Sequence, residues 1–358
     1  MCITIAANIA ETAILTYPAC FPDSVVGFIA DPKKCSVHFI EYMFRYLRSK
    51  IQHEATGSVQ DNINLATLDR LKFPLPPLRE QQAIACILGA LDDKIELNRR
   101  RNKTLEAMAR AIFQSWFVDF DPVQAKAAGR TPPGLSPALA AHFPDRFEDS
   151  PLGPTPAGWR VGTVGDLAEI NGWTLGKRDA LAEIDYIEIS EVMRGEVATM
   201  TRYARGSEPS RARRRLRHGD TALSTVRPDR GAYFLSIEPS PNLIASTGFA
   251  ILTAQDGNWA FVHVLTTRRE FGDELGRLAD GGAYPAVRPE VIAARPAIIP
   301  SDQVVAAFEK IAEPMFLSAE KARQESRTLA ALRDALLPKL ISGELRVPDA
   351  ERIVGRAV

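Results

Sequence analysis

The stretch that decides the architecture runs from Leu78 to Val118: LREQQAIACILGALDDKIELNRRRNKTLEAMARAIFQSWFV. Side chains in it recur at alternating spacings of four and three: Ile84, Leu88, Leu91, Ile95, Asn98, Asn102, Leu105, Ala109, Ile112 and Trp116. That is a heptad seam, a stripe that a helix can bury only against a partner helix. Adding 224 to each number gives Phe308, Ala312, Met315, Ala319, Ala322, Ser326, Leu329, Arg333, Leu336 and Leu340, eight of them apolar. Arg333 then has to snorkel or lie off the seam, and Pro314 is expected to kink the second helix near its start. At ~1.5 Å per residue each rod is about 60 Å long. If the rods run antiparallel, Asn98 faces Ser326 and Asn102 faces Ala322, small partners that leave room for register-fixing amides. The alternative is a drifting stripe on which both asparagines meet solvent.

The same offset extends outward from the rods. Ile63-Asn64-Leu65-Ala66-Thr67-Leu68 with Phe73-Pro74-Leu75-Pro76 aligns with Val287-Arg288-Pro289-Glu290-Val291-Ile292 with Ala297-Ile298-Ile299-Pro300. Gly57 falls on Gly281, and Gly27-Phe28 corresponds to Gly248-Phe249 after a small length change. An amphipathic helix precedes the glycine in each half, with apolar positions Ile40, Met43, Phe44, Leu47 and Ile51, then Val264, Leu265, Phe271, Leu275 and Leu278. Short β-branched runs come before it: Ile3-Thr4-Ile5 and Ala13-Ile14-Leu15, then Tyr186–Ile189, Thr221–Ser224 and Phe249–Leu252. The fold class is therefore α+β, two pseudo-repeated globular domains joined by two long antiparallel coiled-coil helices. The boundaries are 1–77 for the first globular domain, 78–118 for the central helix and 119–158 for a Pro/Gly-rich linker with little regular structure. Residues 159–300 form the second domain, 301–343 the distal helix and 344–358 a tail. The second domain spans Trp159 to Pro300 and the first only Met1 to Pro76, so the first is expected to be an incomplete, truncated copy.

Charge is balanced overall but not locally. The formal net charge is zero, whereas Thr201 to Arg230 holds nine arginines, no lysine and only Glu208, Asp220 and Asp229. Such a window is either a solvated loop or a contact for nucleic acid, because arginine forks match phosphates and the O6/N7 edge of guanine. The candidates are Arg202, Arg205, Arg211, Arg213, Arg214, Arg215 and Arg217, with Ser224, Arg227 and Arg230 around the turn Pro228-Asp229-Arg230-Gly231. Lys177, Arg178 and Tyr284 lie in further turns, Tyr284 either packing on the core or touching a sugar. Asn8 sits in the matching turn of the first half, as an adenine reader or as a local turn residue. Charge reversal at Arg213, Arg214 and Arg215 is expected to abolish specific binding and spare the fold.

Catalytic signatures are missing. The sequence holds no GxxxxGK[ST] phosphate loop, no glycine-rich nucleotide turn and no Asn-Pro-Pro-aromatic tetrapeptide. Asp92-Asp93-Lys94 comes nearest to a nuclease acid pair, but its place on the flank of the heptad helix assigns it to solvation. The four cysteines and five histidines are scattered, so no metal site is expected, and the cysteines read as reduced thiols of a cytoplasmic protein. No run approaches the ~20 apolar residues of a membrane span.

Several pieces resemble the specificity (S) subunit of type I restriction-modification systems. They are Leu75-Pro76-Pro77-Leu78-Arg79-Glu80-Gln81-Gln82, Phe117-Val118-Asp119-Phe120-Asp121-Pro122-Val123, Gly153-Pro154-Thr155-Pro156-Ala157-Gly158-Trp159 and Leu337–Val347. Gly219-Asp220 through Ser224, followed by Val226-Arg227-Pro228, is similar as well. The resemblance implies two target-recognition domains reading a bipartite site on double-stranded DNA, spaced by conserved helices that dock methyltransferase (M) and restriction (R) subunits. It implies a DNA-binding, non-catalytic subunit with no cofactor of its own: S-adenosylmethionine, ATP and Mg belong to the partners. The competing reading is a coiled-coil scaffold that binds the M subunit but has lost sequence reading with its truncated first domain.

Overall fold

The computed structural model describes residues 1–6, 8–55, 63, 65–176, 179–282 and 284–357. The chain divides into two compact units, Met1–Arg101 with Lys321–Val358, and Asn102–Glu320. Gly57 and Asn64 lie outside the described residues.

In the first unit, strands Cys2–Thr4, Thr12–Ala13 and Val25–Gly27 form an antiparallel sheet with Cys2–Thr4 in the middle. The helix Val37–Ala55 turns Ile40, Met43, Phe44 and Ile51 into the core, as its apolar spacing requires. The central rod helix, Leu78–Phe113, is anchored at its start by Gln81, 1% exposed. The Gln81 side chain accepts from the Ser36 amide (3.0 Å) and donates to the carbonyls of Lys34 (3.2 Å) and Pro76 (2.8 Å).

The seam closes as its spacing demands. Leu88 and Leu91 share one apolar cluster with Leu329, Leu336 and Leu340 of the distal helix, Asp302–Ser342, and all five are buried. The rods run antiparallel: Asn98 Nδ2 donates to the Ala322 carbonyl (3.3 Å), Glu325 Oε2 (2.8 Å) and Ser326 Oγ (3.3 Å). The distal helix continues through Pro314 without ending. Asp92 is a correction to the sequence reading, since it is a hub rather than a solvation residue. It accepts from Tyr42 (2.7 Å), Arg45 (2.9 Å) and Arg333 (2.5 Å), so Arg333 finds its counter-charge beside the seam. Burial alone would raise the Asp92 carboxyl; the Tyr42 hydroxyl and the Arg333 and Arg45 guanidiniums outweigh it and hold the group below its ordinary value.

The second unit holds two four-stranded sheets. One runs in the order Thr201–Ala204, Glu183–Ile187, Leu243–Ser246, Ala212–Arg215, with its two middle strands parallel. The other is antiparallel, in the order Tyr233–Leu235, Thr221–Ser224, Phe249–Ala254, Ala168–Ile170. A ribbon of Arg160–Thr163 with Pro296–Ile299 joins the beginning of the unit's globular part to its end. The single amphipathic helix expected here is broken into Trp259–Thr266 and Arg269–Arg277. Thr266 and Thr267 hydroxyls bond back to the Val262 (2.7 Å) and His263 (2.6 Å) carbonyls, and Arg268 is extended, which ends the first turn run.

The stretch 119–158 also departs from expectation. It carries helices Asp121–Ala127 and Pro137–Ala140 and a Phe147–Glu148/Thr155–Pro156 ladder, and it buries Val123 and Phe143. Three of its eight prolines, Pro122, Pro137 and Pro156, sit at helix starts or in the ladder, where no backbone N–H is needed, and the rest lie in the turns between these elements.

The repeat is realised in the strand pairing, with one correction to the sequence reading: Gly27 falls on Ile251, and Phe249 on Val25, so Gly27-Phe28 does not correspond to Gly248-Phe249. Cys2 pairs with Ala13 and Gly27 as Ala222 pairs with Phe234 and Ile251. The amide of Ile63 bonds the Ile5 carbonyl (3.0 Å), and at the equivalent place Val287 bonds Thr225 (2.9 Å).

Around the second unit's rod segments, Phe113, Trp116 and Phe117 pack against Phe261 and Phe308, with Phe117 and Phe261 centroids 4.9 Å apart. Glu309 reaches from the distal helix to accept from the buried backbone amides of Ala260 (3.2 Å) and Phe261 (2.7 Å), donors that a helix start leaves without an intrahelical partner. Burial pushes its carboxyl up to about 7, against the pull of those amides.

Two outcomes follow from this packing. Leu91→Ala should lower unfolding free energy by about 2–5 kcal/mol, read from urea denaturation. Because Glu309 is raised in the folded state, its protonated form adds stability that is complete below its ordinary value of 4.5 and lost as pH rises through about 7. Glu309→Gln keeps an acceptor for the two amides and should flatten that part of the pH–stability profile.

Candidate nucleic-acid interface

Four of the window's nine arginines, Arg202, Arg213, Arg214 and Arg215, lie on strands and the other five in the turns between and after them, and most of the charge is paired internally. Arg202 makes a two-point pair with Asp185 (2.8 and 3.3 Å). Arg205 bonds Glu208 and the Gly176 carbonyl (2.9 Å), and Arg213 also reaches Glu208 (3.4 Å). Arg215 lies 4.0 Å over the Trp173 ring and bonds Asp179 (2.9 Å), while Arg217 stands 3.8 Å from Glu169. Asp185, Asp179 and Glu169 come from outside the window, so folding offsets half of the local excess read from the sequence. Arg211 is exposed. Arg214 is half-buried, with no partner for Nε, and burial lowers its pKa.

Ser224 is fully buried, and its hydroxyl donates to the Val226 carbonyl (2.8 Å). It shapes the turn and cannot meet a ligand, which corrects its candidacy. Asn8 is exposed, and its backbone carbonyl closes its turn by accepting from the Thr4 hydroxyl and the Glu11 amide (3.4 Å). Lys177 and Arg178 lie outside the described residues.

The structure does bring together a second group around the turn that follows Ser224. Arg227 occupies the left-handed region (φ 46°), which costs a non-glycine residue on the order of 1–2 kcal/mol. Its guanidinium stands 5.0 Å from the centroid of Tyr284, 74% exposed. The loop carrying Tyr284 is tied to the turn by the Arg227 amide on the Pro285 carbonyl (2.8 Å) and by a Val226–Ala286 bridge. Arg230 is exposed one turn on, its amide bonding the Arg227 carbonyl (3.0 Å).

Arg194 completes the group, and sequence reasoning missed it. It is exposed at the tip of a hairpin, Val192–Met193 with Glu196–Val197, where Arg194 (φ 47°) and Gly195 (φ 90°) both have positive φ. That is the two-residue turn whose twist suits a hairpin. Its amide bonds the Gly231 carbonyl (2.8 Å), setting the side chain beside the Pro228–Gly231 turn. The available signal was a lone Arg-Gly between short valine-bearing segments.

Among the described residues no cluster of His, Cys, Asp and Glu could hold a metal, and no helix is long and apolar enough to cross a membrane. Each unit is thus α+β around segments of the two long helices, and the second unit carries an arginine–tyrosine surface.

Comparison with known proteins agrees with that class. Residues 1–107 match the family model of the type I restriction modification DNA specificity domain. The chain is 23% identical over 319 residues to the MjaIX specificity subunit of Methanocaldococcus jannaschii, covering 86% of this chain and 70% of that one. It is 25% identical over 342 residues to the HindI specificity subunit of Haemophilus influenzae, covering 83% and 74%. The fold is similar to that of the type I S subunit from M. genitalium, with a TM-score of 0.55 at 16% identity over 95% of this chain and 82% of the other. Residues 1–107 thus match a type I restriction modification DNA specificity domain, and over most of its length the chain is similar to type I restriction enzyme specificity subunits.

The pairing pattern changes one expectation about the arginines. Arg215, its side chain only 13% exposed, holds Asp179 and Trp173. Arg215→Ala should therefore cost about 1–3 kcal/mol of stability, visible as a lower thermal midpoint by circular dichroism. Reversing Arg213, Arg214 and Arg215 together should disrupt the sheet itself.

Proposed function

We propose that the second lobe reads double-stranded DNA through Arg194, Arg227, Arg230 and Tyr284, as part of a type I restriction-modification complex. The observation that carries this reading is the left-handed Arg227, held against an exposed tyrosine beside two exposed arginines that have no carboxylate partner among the described residues. Backbone strain at an exposed, polar turn is favourable to folding only if something else is gained there, and a guanidinium fork presented on a rigid turn is what guanine or phosphate recognition needs. Tyr284 adds a flat face able to pack on a sugar.

On this reading the rods space two related lobes over a bipartite site and dock the M and R subunits. S-adenosylmethionine, ATP and Mg act on those partners, and this chain contributes recognition without catalysis. The neutralised arginine strands favour a second reading, a scaffold that binds the M subunit and reads no sequence. The two differ in whether an assembled complex prefers one duplex over another.

In fluorescence anisotropy with the chain bound to its methyltransferase subunits, Arg227→Ala should weaken binding to the preferred duplex by about 1–3 kcal/mol and relax its preference. Arg194→Ala and Arg230→Ala, if they hold phosphates, should weaken all duplexes alike and reduce the salt slope by about 1 each. Affinity unchanged in all three variants, at low and moderate salt, would remove this surface as the interface.

A further inference from the structure

Two arginines outside the charged window, Arg110 and Arg268, are half-buried in the second unit, with no carboxylate hydrogen-bonded to either among the described residues. Arg110, on the central helix, donates to the Thr267 carbonyl (3.3 Å), the Thr267 hydroxyl (3.1 Å) and the Tyr233 hydroxyl (3.1 Å), all neutral acceptors. Arg268 follows Thr267 directly, and its guanidinium stands 5.9 Å from the centroid of the Phe113 ring. Its Nε is buried and finds no hydrogen-bond acceptor among the described residues, a condition that native interiors rarely tolerate without a reason. Burial lowers the Arg268 pKa, against the pull of Glu270 and Glu274.

Both arginines line one cleft of about 280 Å³, together with Gln114, Arg269 and Glu270. Arg269 is paired with Asp273 (3.6 Å) and has Glu270 beside it, so the charge open to a ligand is that of Arg110 and Arg268. The apolar lining is Ala111 and the buried Val264, so a peptide would find no exposed aromatic or large aliphatic anchor here. The cleft is joined to the Arg227 turn on two sides. The Gly195 amide bonds the Tyr233 carbonyl (2.8 Å), which seats the Arg194 hairpin on the strand whose tyrosine hydroxyl takes Arg110. The helix Arg269–Arg277 lies against the turn itself: a Cβ on Gly272 would stand 3.3 Å from the Pro228 carbonyl oxygen, and one on Gly276 3.0 Å from Asp229 Cβ. Arg194, Arg230, Arg110 and Arg268 are thus carried on elements in direct contact within one unit.

We propose that Arg110 and Arg268 hold a backbone phosphate of the duplex whose bases meet Arg227, a contact without sequence preference that fixes the lobe on the DNA. The inference rests on the reading of the second lobe as a DNA-reading surface. A phosphodiester suits the cleft because its charged oxygens can accept from the Arg268 Nε–H and from the outward N–H groups of both guanidinium forks. The site is partly desolvated, and there a charge-assisted hydrogen bond is stronger than in bulk water. Contacts of this kind set orientation and register on the duplex and leave the choice of bases to other side chains.

The test uses the chain assembled with its methyltransferase subunits, the preferred duplex and an unrelated duplex of equal length, read by fluorescence anisotropy across a salt series. Arg268→Gln should weaken both duplexes by the same factor, about three- to tenfold at low salt, and reduce the salt slope by about 1. Arg268→Lys should keep the slope, because it keeps the charge. A set of duplexes each carrying one neutral methylphosphonate locates the contact. At one phosphate the substitution should weaken binding by the unaltered chain and add nothing to the loss in Arg268→Gln. Should circular dichroism show that Arg268→Gln is unfolded, the same set is read on Arg268→Lys, where a point charge in place of a fork should shrink the penalty at that one phosphate. Unchanged affinity and slope in Arg268→Gln, while Arg227→Ala still weakens the preferred duplex, overturns the phosphate contact and leaves the reading surface standing. No loss in either variant removes both. Weaker association with the methyltransferase subunits at unchanged DNA affinity also overturns the proposal, because the cleft would then hold a protein carboxylate.

Discussion

The structure depends on one constraint: two helices that each expose an apolar stripe must cover each other. Leu88 and Leu91 have no other place to go than against Leu329, Leu336 and Leu340. At about 25 cal/mol per Å² of apolar surface removed from water, such side chains contribute about 1.5–3 kcal/mol each. The polar members of the seam select which covering is allowed. Asn98 finds its partners only when it meets Ala322, Glu325 and Ser326, and Arg333 finds Asp92 in the same register. A slip of one turn would leave a buried amide and a half-buried guanidinium unpaired, a penalty of the size that fixes register in coiled coils. Apolar area supplies the attraction, and two polar positions supply the uniqueness.

The rods were legible because a heptad is a local pattern repeated many times, and the repeat was legible because it preserves order of elements over a fixed offset. The same locality explains what was not legible. Arg202 meets Asp185 and Arg215 meets Asp179, partners that are distant in sequence and adjacent only across strands or their flanks, so a window count of charge overstated the free charge. Asp92 looked like a surface acid because its three partners come from two other helices. The proline-rich segment 119–158 looked unstructured because prolines mark loops and helix starts alike, and the burial of Val123 and Phe143 is a tertiary fact. Arg194 went unseen because one Arg-Gly pair is weak without the knowledge that its hairpin abuts Gly231.

These outcomes sort the arginines by backbone context. On a strand an arginine stands beside cross-strand neighbours about 5 Å away, close enough for a carboxylate to hold it, and that is where Arg202, Arg213 and Arg215 lie. On a tight turn the side chain can be presented outward, as at Arg194 and Arg230, unless the turn supplies its own carboxylate, as Glu208 does for Arg205. Density of positive charge in the sequence is thus a poorer guide to a ligand surface than the geometry of the turns that interrupt it.

The two lobes carry this distinction further. Their sheets repeat the same pairings, and the same amide-to-carbonyl bond ties each turn to the segment before its rod, Ile63 to Ile5 and Val287 to Thr225. Backbone hydrogen bonds of that kind are indifferent to side chains, so they constrain the turns without constraining what the turns display. The first lobe displays Asn8 at this place and the second Arg227 with Pro228 and Arg230. A frame held by main-chain bonds therefore lets the turn residues vary at little cost to folding, while strand residues such as Ser224 and Arg215 remain bound by burial and pairing. If the lobes read DNA as proposed, differences in what they read would arise in these turns before anywhere else, because the turns are where a substitution changes the surface and leaves the sheet intact.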